Sequence, residues 1–201
     1  MNPQNHPAIG IDLGTTYSAV AMLNEHGQPR TLENSEGDKI TPSVLLFEGD
    51  DVIVGKEAVK AKTTHNNAVA EHSKRYLGQR SFEQEFANVQ YPPEALQAWI
   101  LKKIRDDVQQ RIGDFKYAVI TVPAYFDEAR RKATQDAGYM AGIDVLDIIN
   151  EPTAAAIAYG AQQSSDPESV NAPQTILVYD LGGGTFDVSI VKIDGCEFVT
   201  L

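Results

Sequence analysis

Two acids, Asp12 and Asp180, each end an apolar run and are each followed by Leu-Gly and a Gly/Thr turn. The strings are Ile9-Gly10-Ile11-Asp12-Leu13-Gly14-Thr15-Thr16 and Leu177-Val178-Tyr179-Asp180-Leu181-Gly182-Gly183-Gly184-Thr185. Turns without side chains let successive backbone N–H groups converge on an anion, and the hydroxyls of Thr15, Thr16 and Thr185 add donors. The chemistry this suggests is phosphate binding. Neither a Walker A string nor a G-x-G-x-x-G string is present, so the phosphate would be held in hairpins, not at the start of a helix. One such turn could be an ordinary hairpin, since Gly and Thr are common there; a distant second copy with the same terminal acid argues for shared work. Two carboxylates beside anion nests also imply a hard cation, and Mg²⁺ suits carboxylates and phosphates through the waters it retains. Glu151 and Asp187 stand next to a motif and could join that set, although an acid beside Pro152 is equally explained by the helix dipole. Lys74-Arg75 is a basic pair that could reach a terminal phosphate; residue preferences alone place such a pair on the surface. The four histidines show no ligand spacing.

These turns need strands to deliver them. Ala8–Ile11 and Tyr17–Leu23 flank the first turn, Arg30–Glu33 can add a third strand, and Ser43–Phe47 with Val52–Val54 reads as a small hairpin. Residues 55–88 are polar and weakly periodic, with a helix at Lys56–Lys62. After Pro92-Pro93, the residues Leu96, Trp99, Ile100, Ile104 and Val108 recur at helical spacing up to Gly113. Tyr117–Val122 and Val145–Ile149 read as strands around a helix at Asp127–Ala141, and Thr153–Tyr159 as a helix that Gly160 ends. Gln162–Pro173 is a polar connector, and Thr175–Asp180 with Thr185–Ile193 restarts a strand-turn-strand unit. This order predicts a layered α/β fold with a mixed sheet. Composition agrees: the 201 residues are 42% hydrophobic, and 28 acids against 17 Lys plus Arg leave a net charge of −11. That balance leaves no basic stripe for a nucleic acid. Cys196 is the single cysteine, so no internal disulfide forms, in keeping with a reducing cytoplasm. Met1–Pro7 reads as a disordered tail without signal-peptide features, and no apolar run approaches the roughly 18 residues of a membrane span.

Five ordered strings, IGIDLGTTYS from Ile9, KRYLG from Lys74, AVITVPAYF from Ala118, IINEPTAAAIAYG from Ile148 and DLGGGTFDVSI from Asp180, resemble the seventy-kilodalton heat-shock chaperones of the DnaK type. The resemblance implies an actin-like ATPase with a ribonuclease-H-like core, a mixed sheet flanked by helices, and ATP or ADP between two lobes. It divides the chain into first-lobe core at 8–39 and 115–164, an inserted, shortened outer subdomain at 40–114, and the start of a second lobe at 165–201. By motif, Asp12, Gly14, Thr15, Thr16 and Tyr17 form the first phosphate loop, and Asp180, Gly182, Gly183, Gly184, Thr185 and Asp187 the second. Lys74 contacts the γ-phosphate, with Glu151, Asp180, Thr185 and Asp187 as its catalytic companions. Asp12, Glu151, Asp180 and Asp187 hold hydrated Mg²⁺, with K⁺ nearby. Pro123 and Arg131 match a relay that reports nucleotide state to a peptide-binding domain, which would engage unfolded polypeptide clients.

Three departures qualify the resemblance. The stretch between Lys74 and Pro123 is short for the family, which weighs against nucleotide-exchange factors that grip the outer subdomain. Asp147 stands where the family carries Arg at a J-domain contact, and the reversed charge costs complementarity there. The match also stops early in the second lobe, so only part of an ATP site and an exposed strand edge are expected. A filament-forming actin-like protein and a sugar or acid kinase share the two-loop fold; the strings NEPTAAAIAYG and VPAYF favour the chaperone.

Overall fold

A computed structural model describes residues 8–163, 173–183, 186–195 and 197–201. The tail at 1–7, most of the polar connector, Gly184, Thr185 and Cys196 lie outside the described residues.

The central element is a six-stranded mixed sheet. β1 (Ala8–Asp12), β2 (Tyr17–Leu23) and β3 (Pro29–Thr31) run as an antiparallel meander, and β4 (Ile40–Pro42) pairs with the other half of β2. β10 (Tyr117–Val122) lies parallel to β1, and β11 (Asp144–Asn150) parallel to β10. Both parallel connections need crossovers, supplied by α2 (Pro93–Ile112) and α3 (Glu128–Met140). Ile9 and Ile11 of β1, Val20, Ala118 and Ile120 point to one face and are buried with Leu96, Ile100, Ile104 and Val108 of α2 and Ala137 of α3. The period-two alternation therefore turns Gly10 and Asp12 to the opposite face.

Between β4 and α2 lies a smaller sheet of β5 (Val44–Glu48), β6 (Asp51–Val54) and β7 (Val69–Glu71), backed by α1 (Lys56–Ala61). It shares the main core. Phe47 stacks on Phe86 with centroids 4.1 Å apart and meets Trp99 of α2 edge-on at 5.5 Å. Phe86 belongs to the two-residue pair β8 (Glu85–Phe86) and β9 (Val89–Gln90). The polar text of residues 55–88 hides these short strands because what holds them is this aromatic cluster, which is assembled from distant residues.

α4 (Glu151–Gln163) continues through Gly160, so the expectation that Gly160 ends it is corrected. A Cβ at that glycine would meet the Phe198 ring at 3.4 Å, an ordinary contact. α4 packs on a three-stranded antiparallel sheet of β12 (Gln174–Leu181), β13 (Phe186–Asp194) and β14 (Glu197–Thr200). The far face of this sheet is bare: Leu177, Tyr179, Leu181, Phe186, Val188 and Ile190 are all exposed. No helix among the described residues is long and apolar enough to cross a membrane.

Candidate functional site

The two hairpin turns, far apart in sequence, meet at one cleft. It encloses about 190 Å³ and is lined by Asp12, Gly14, Thr15, Thr16, Tyr17, Lys74, Glu151, Asp180, Gly182 and Gly183. All ten were singled out in the sequence. The turns touch directly, since a Cβ at Gly183 would lie 2.4 Å from the Thr16 hydroxyl oxygen. Gly14 is required for a different reason: a Cβ there would lie 2.0 Å from the Tyr17 carbonyl oxygen. Among the described residues the buried Thr16 Oγ1 has no hydrogen-bond partner, so a hydroxyl faces the cleft with its capacity unused.

The first turn is braced from outside its own strands. Ser43 Oγ donates to the Gly14 carbonyl at 2.8 Å and lies 3.0 Å from Ser18 Oγ, while its N–H donates to the Thr16 carbonyl at 2.9 Å. Thr121 Oγ1 donates to Asp12 Oδ1 at 3.1 Å. Sequence reasoning missed both residues. Thr121 was findable, because β10 runs parallel to β1 with Ile120 opposite Ile11, which puts the next residue beside Asp12. Nothing local marks Ser43.

Lys74 sits on a one-turn 3₁₀ helix, Ser73–Tyr76, and only 3% of its side chain is exposed. The surface placement that residue preferences give the basic pair is thus wrong for Lys74, whereas Arg75 is exposed. Burying an ammonium requires a partner. Lys74 Nζ donates to Glu151 Oε1 at 2.6 Å and lies 5.7 Å from the centre of the Phe126 ring, a neighbour not anticipated in the sequence. Glu151 is the first residue of α4, so the carboxylate also stands at the positive end of that helix. Burial pushes the Glu151 carboxyl above its ordinary range; Lys74 opposes that shift, and the nearby Asp12 and Asp180 add to it.

Asp187 is opposite Asp180 in the β12–β13 register and does not line the cleft. Its carboxyl is likewise raised, first by burial and then by Asp180, with Lys74 pulling the other way. Among the described residues no three of His, Cys, Asp and Glu come together as direct ligands of one ion, so the acids do not form an inner ligand set. Asp12, Glu151 and Asp180 line one cleft, an arrangement that fits a cation that keeps its own water; the Glu151 carboxyl is raised chiefly by burial, and the other two acids add to it. Gly184 and Thr185 lie outside the described residues.

Pro123 and Arg131 are not among the residues that line the cleft. Phe126 N–H donates to the Pro123 carbonyl at 3.1 Å, Arg131 Nε donates to the Phe126 carbonyl at 3.1 Å, and Arg131 Nη2 donates to Asn150 Oδ1. Arg131 thereby ties the Pro123–Phe126 turn to the residue before Glu151. Asp147 is exposed on β11, where its Oδ1 accepts from the Ile148 N–H at 2.8 Å, next to a bulge that leaves Leu146 without a partner on β10.

Two segments of this chain, 8–90 and 81–200, match the family described as Hsp70 protein. The chain belongs to the Hsp70 family. Its fold is accordingly the actin-like ATPase fold of Hsp70, with a mixed sheet flanked by helices. Among curated relatives, the chaperone protein DnaK of Mycoplasma mobile is 49% identical over 194 residues, covering 96% of this chain and 31% of the relative. DnaK of Metamycoplasma hominis is 45% identical over the same shares. DnaK of Halobacterium salinarum is 45% identical over 184 residues, covering 91% of this chain and 28% of the relative. The Hsp70 match thus takes in both Asp-Leu-Gly turns and the Lys74 segment, and the chain spans about three tenths of the length of these relatives.

Proposed function

We propose that the chain is the part of a DnaK-like chaperone ATPase that grips the phosphates of ATP and positions its hydrolysis, coupled in the full-length protein to the binding of unfolded polypeptides in the cytoplasm. The observation that carries this reading is the meeting of the two turns at Thr16 and Gly183 around the buried Lys74–Glu151 pair.

The backbone N–H groups of the two turns and the free hydroxyl of Thr16 bind phosphate oxygens. Phosphoryl transfer asks mainly for positioning and charge neutralisation, and Lys74 supplies one fixed positive charge that needs no rearrangement. Glu151 holds the ammonium in place and orients water at its free oxygen. Asp187, and Thr185 in the turn beside it, complete the catalytic group on the second hairpin. Asp12, Glu151, Asp180 and Asp187 would hold hydrated Mg²⁺, which supplies further neutralisation of phosphate charge, with K⁺ as a second counter-ion. Arg131, tied to both the Pro123 turn and Asn150, would carry a change at Glu151 outward to a peptide-binding domain. The outer segment at 40–114, the core at 8–39 and 115–164 and the second-lobe opening at 165–201 are the corresponding units. With Asp147 on the exposed strand in place of a cation, J-domain contact is weak, and exchange factors that grip a longer outer subdomain do not engage.

Lys74→Ala in the full-length protein should slow single-turnover hydrolysis about a hundredfold or more while changing ATP affinity only slightly, because it removes a transition-state contact and leaves the nests. A wild-type single-turnover rate would overturn the role given to Lys74.

A further inference from the structure

The head of Lys74 is fixed by Glu151, but its backbone belongs to a single 3₁₀ turn, which is too short to hold itself. Within Ser73–Tyr76 and its flanks the backbone bonds are those of the turn alone: Arg75 N–H to the His72 carbonyl at 3.0 Å, Leu77 N–H to Lys74 at 3.3 Å and Gln79 N–H to Tyr76 at 2.9 Å. His72 enters the turn in the left-handed region with φ 57°, an uncommon conformation for a residue other than glycine.

α2 packs against this turn, and among the described residues a buried polar contact joins them. Gln97 Nε2 donates to Ser73 Oγ at 2.8 Å, and both side chains are fully buried, at 1% exposure each. Gln97 is an unusual occupant. It stands among Leu96, Ala98, Ile100 and Leu101 on a helix whose other core positions are mostly apolar, and its Oε1 has no partner among the described residues. A buried acceptor left unsatisfied is destabilising, and an apolar side chain of similar size would avoid that cost. That replacement would in turn leave the buried Ser73 hydroxyl without its donor, so the amide serves the turn: fixed on a twenty-residue helix, it holds the residue preceding Lys74.

We propose that Gln97 is a positioning residue for Lys74, acting through its hydrogen bond to Ser73 to set where the 3₁₀ turn places the lysine in the cleft. This rests on the catalytic role given to Lys74 above. Gln97 touches no ligand in that reading. Its effect is on the rate of the chemical step, where a displacement of about an ångström can cost up to two orders of magnitude.

The experiment compares Gln97→Leu, Ser73→Ala, their double variant and Lys74→Ala in the full-length protein, reading single-turnover hydrolysis, ATP affinity and melting temperature. Gln97→Leu strips the buried Ser73 hydroxyl of its donor and should melt lower than wild type, yet bind ATP within about twofold and hydrolyse it about tenfold more slowly or worse. Ser73→Ala should show the same split, and the double variant should be no slower than the slower single. Added to Lys74→Ala, Gln97→Leu should leave the residual rate unchanged. A Gln97→Leu variant that is merely less stable with a wild-type rate overturns the proposal, as does slowing that persists on the Lys74→Ala background. If Gln97→Leu does not fold, Ser73→Ala decides by the same criteria. Loss of hydrolysis in Lys74→Ala alongside a wild-type rate in Gln97→Leu sinks the positioning role only, whereas wild-type hydrolysis in Lys74→Ala sinks the role of Lys74 and this proposal with it.

Discussion

The two hairpins carry nearly the same string, yet the molecule treats them differently. The first is embedded: Ile9 and Ile11 are buried under α2, Thr121 holds Asp12, and Ser43 braces the turn through two carbonyls. The second is peripheral, lying on α4 by one face with Leu177, Tyr179 and Leu181 bare on the other. A shared local sequence thus makes two similar turns, and tertiary bracing decides how firmly each is held.

The two glycines give the largest test of that asymmetry. Gly14→Ala drives a methyl into the backbone carbonyl of Tyr17, and overpacking against backbone should cost about 3 kcal/mol in urea unfolding. Gly183→Ala meets the Thr16 side chain, whose Cβ at 2.9 Å no rotation moves away, but the peripheral hairpin can shift, so about 2 kcal/mol is expected. Equal losses would show that the turns are held alike. Next in size, Ser43→Ala removes a donor to a carbonyl on the first turn and should cost about 1–2 kcal/mol, with amide hydrogen exchange rising in residues 13–17 and not in 182–183.

The smallest effect is a pH slope. The folded protein keeps the Glu151 proton to a higher pH than the unfolded chain, whose carboxyl titrates near the ordinary 4.5. The folded state therefore binds more protons across that window. The associated stability is complete below pH 4.5 and is lost as pH rises through the raised value. Asp187 acts in the same direction. Melting temperatures of Glu151→Gln should fall less steeply than those of wild type as pH rises above 4.5 for this reason. A wild-type melting temperature that rose relative to the variant over that range would contradict the assignment.

Much of this was legible in the sequence because it is local. Strand alternation around Ile9–Asp12, the helical spacing of Leu96 to Val108 with its Pro start and Gly113 stop, and the repeated Asp-Leu-Gly turn each reside in a few consecutive residues. The lining of the cleft followed from the repeat and from the resemblance. What escaped was held by distant partners. The strands between 69 and 90 depend on the Phe47, Phe86 and Trp99 cluster, and the bracing of the first turn depends on Ser43, which arrives from beyond the meander. Lys74 was recognised as a candidate, but its burial was not, because a charge on a polar stretch gives no sign of the Glu151 carboxylate that neutralises it 77 residues later. Gly160 was misjudged because a glycine late in a helix reads as a stop, whereas here the helix is carried past it by packing on β12, β13 and β14.

α4 touches β10 and β11 on one side and β12, β13 and β14 on the other, and its first residue is Glu151. In mechanical terms it is an axle shared by two plates. At 13 residues the helix is about 20 Å long. The helix that carries Glu151 thus also supports the sheet that brings Gly183 to Thr16, so the charge pair and the meeting of the two turns share one support.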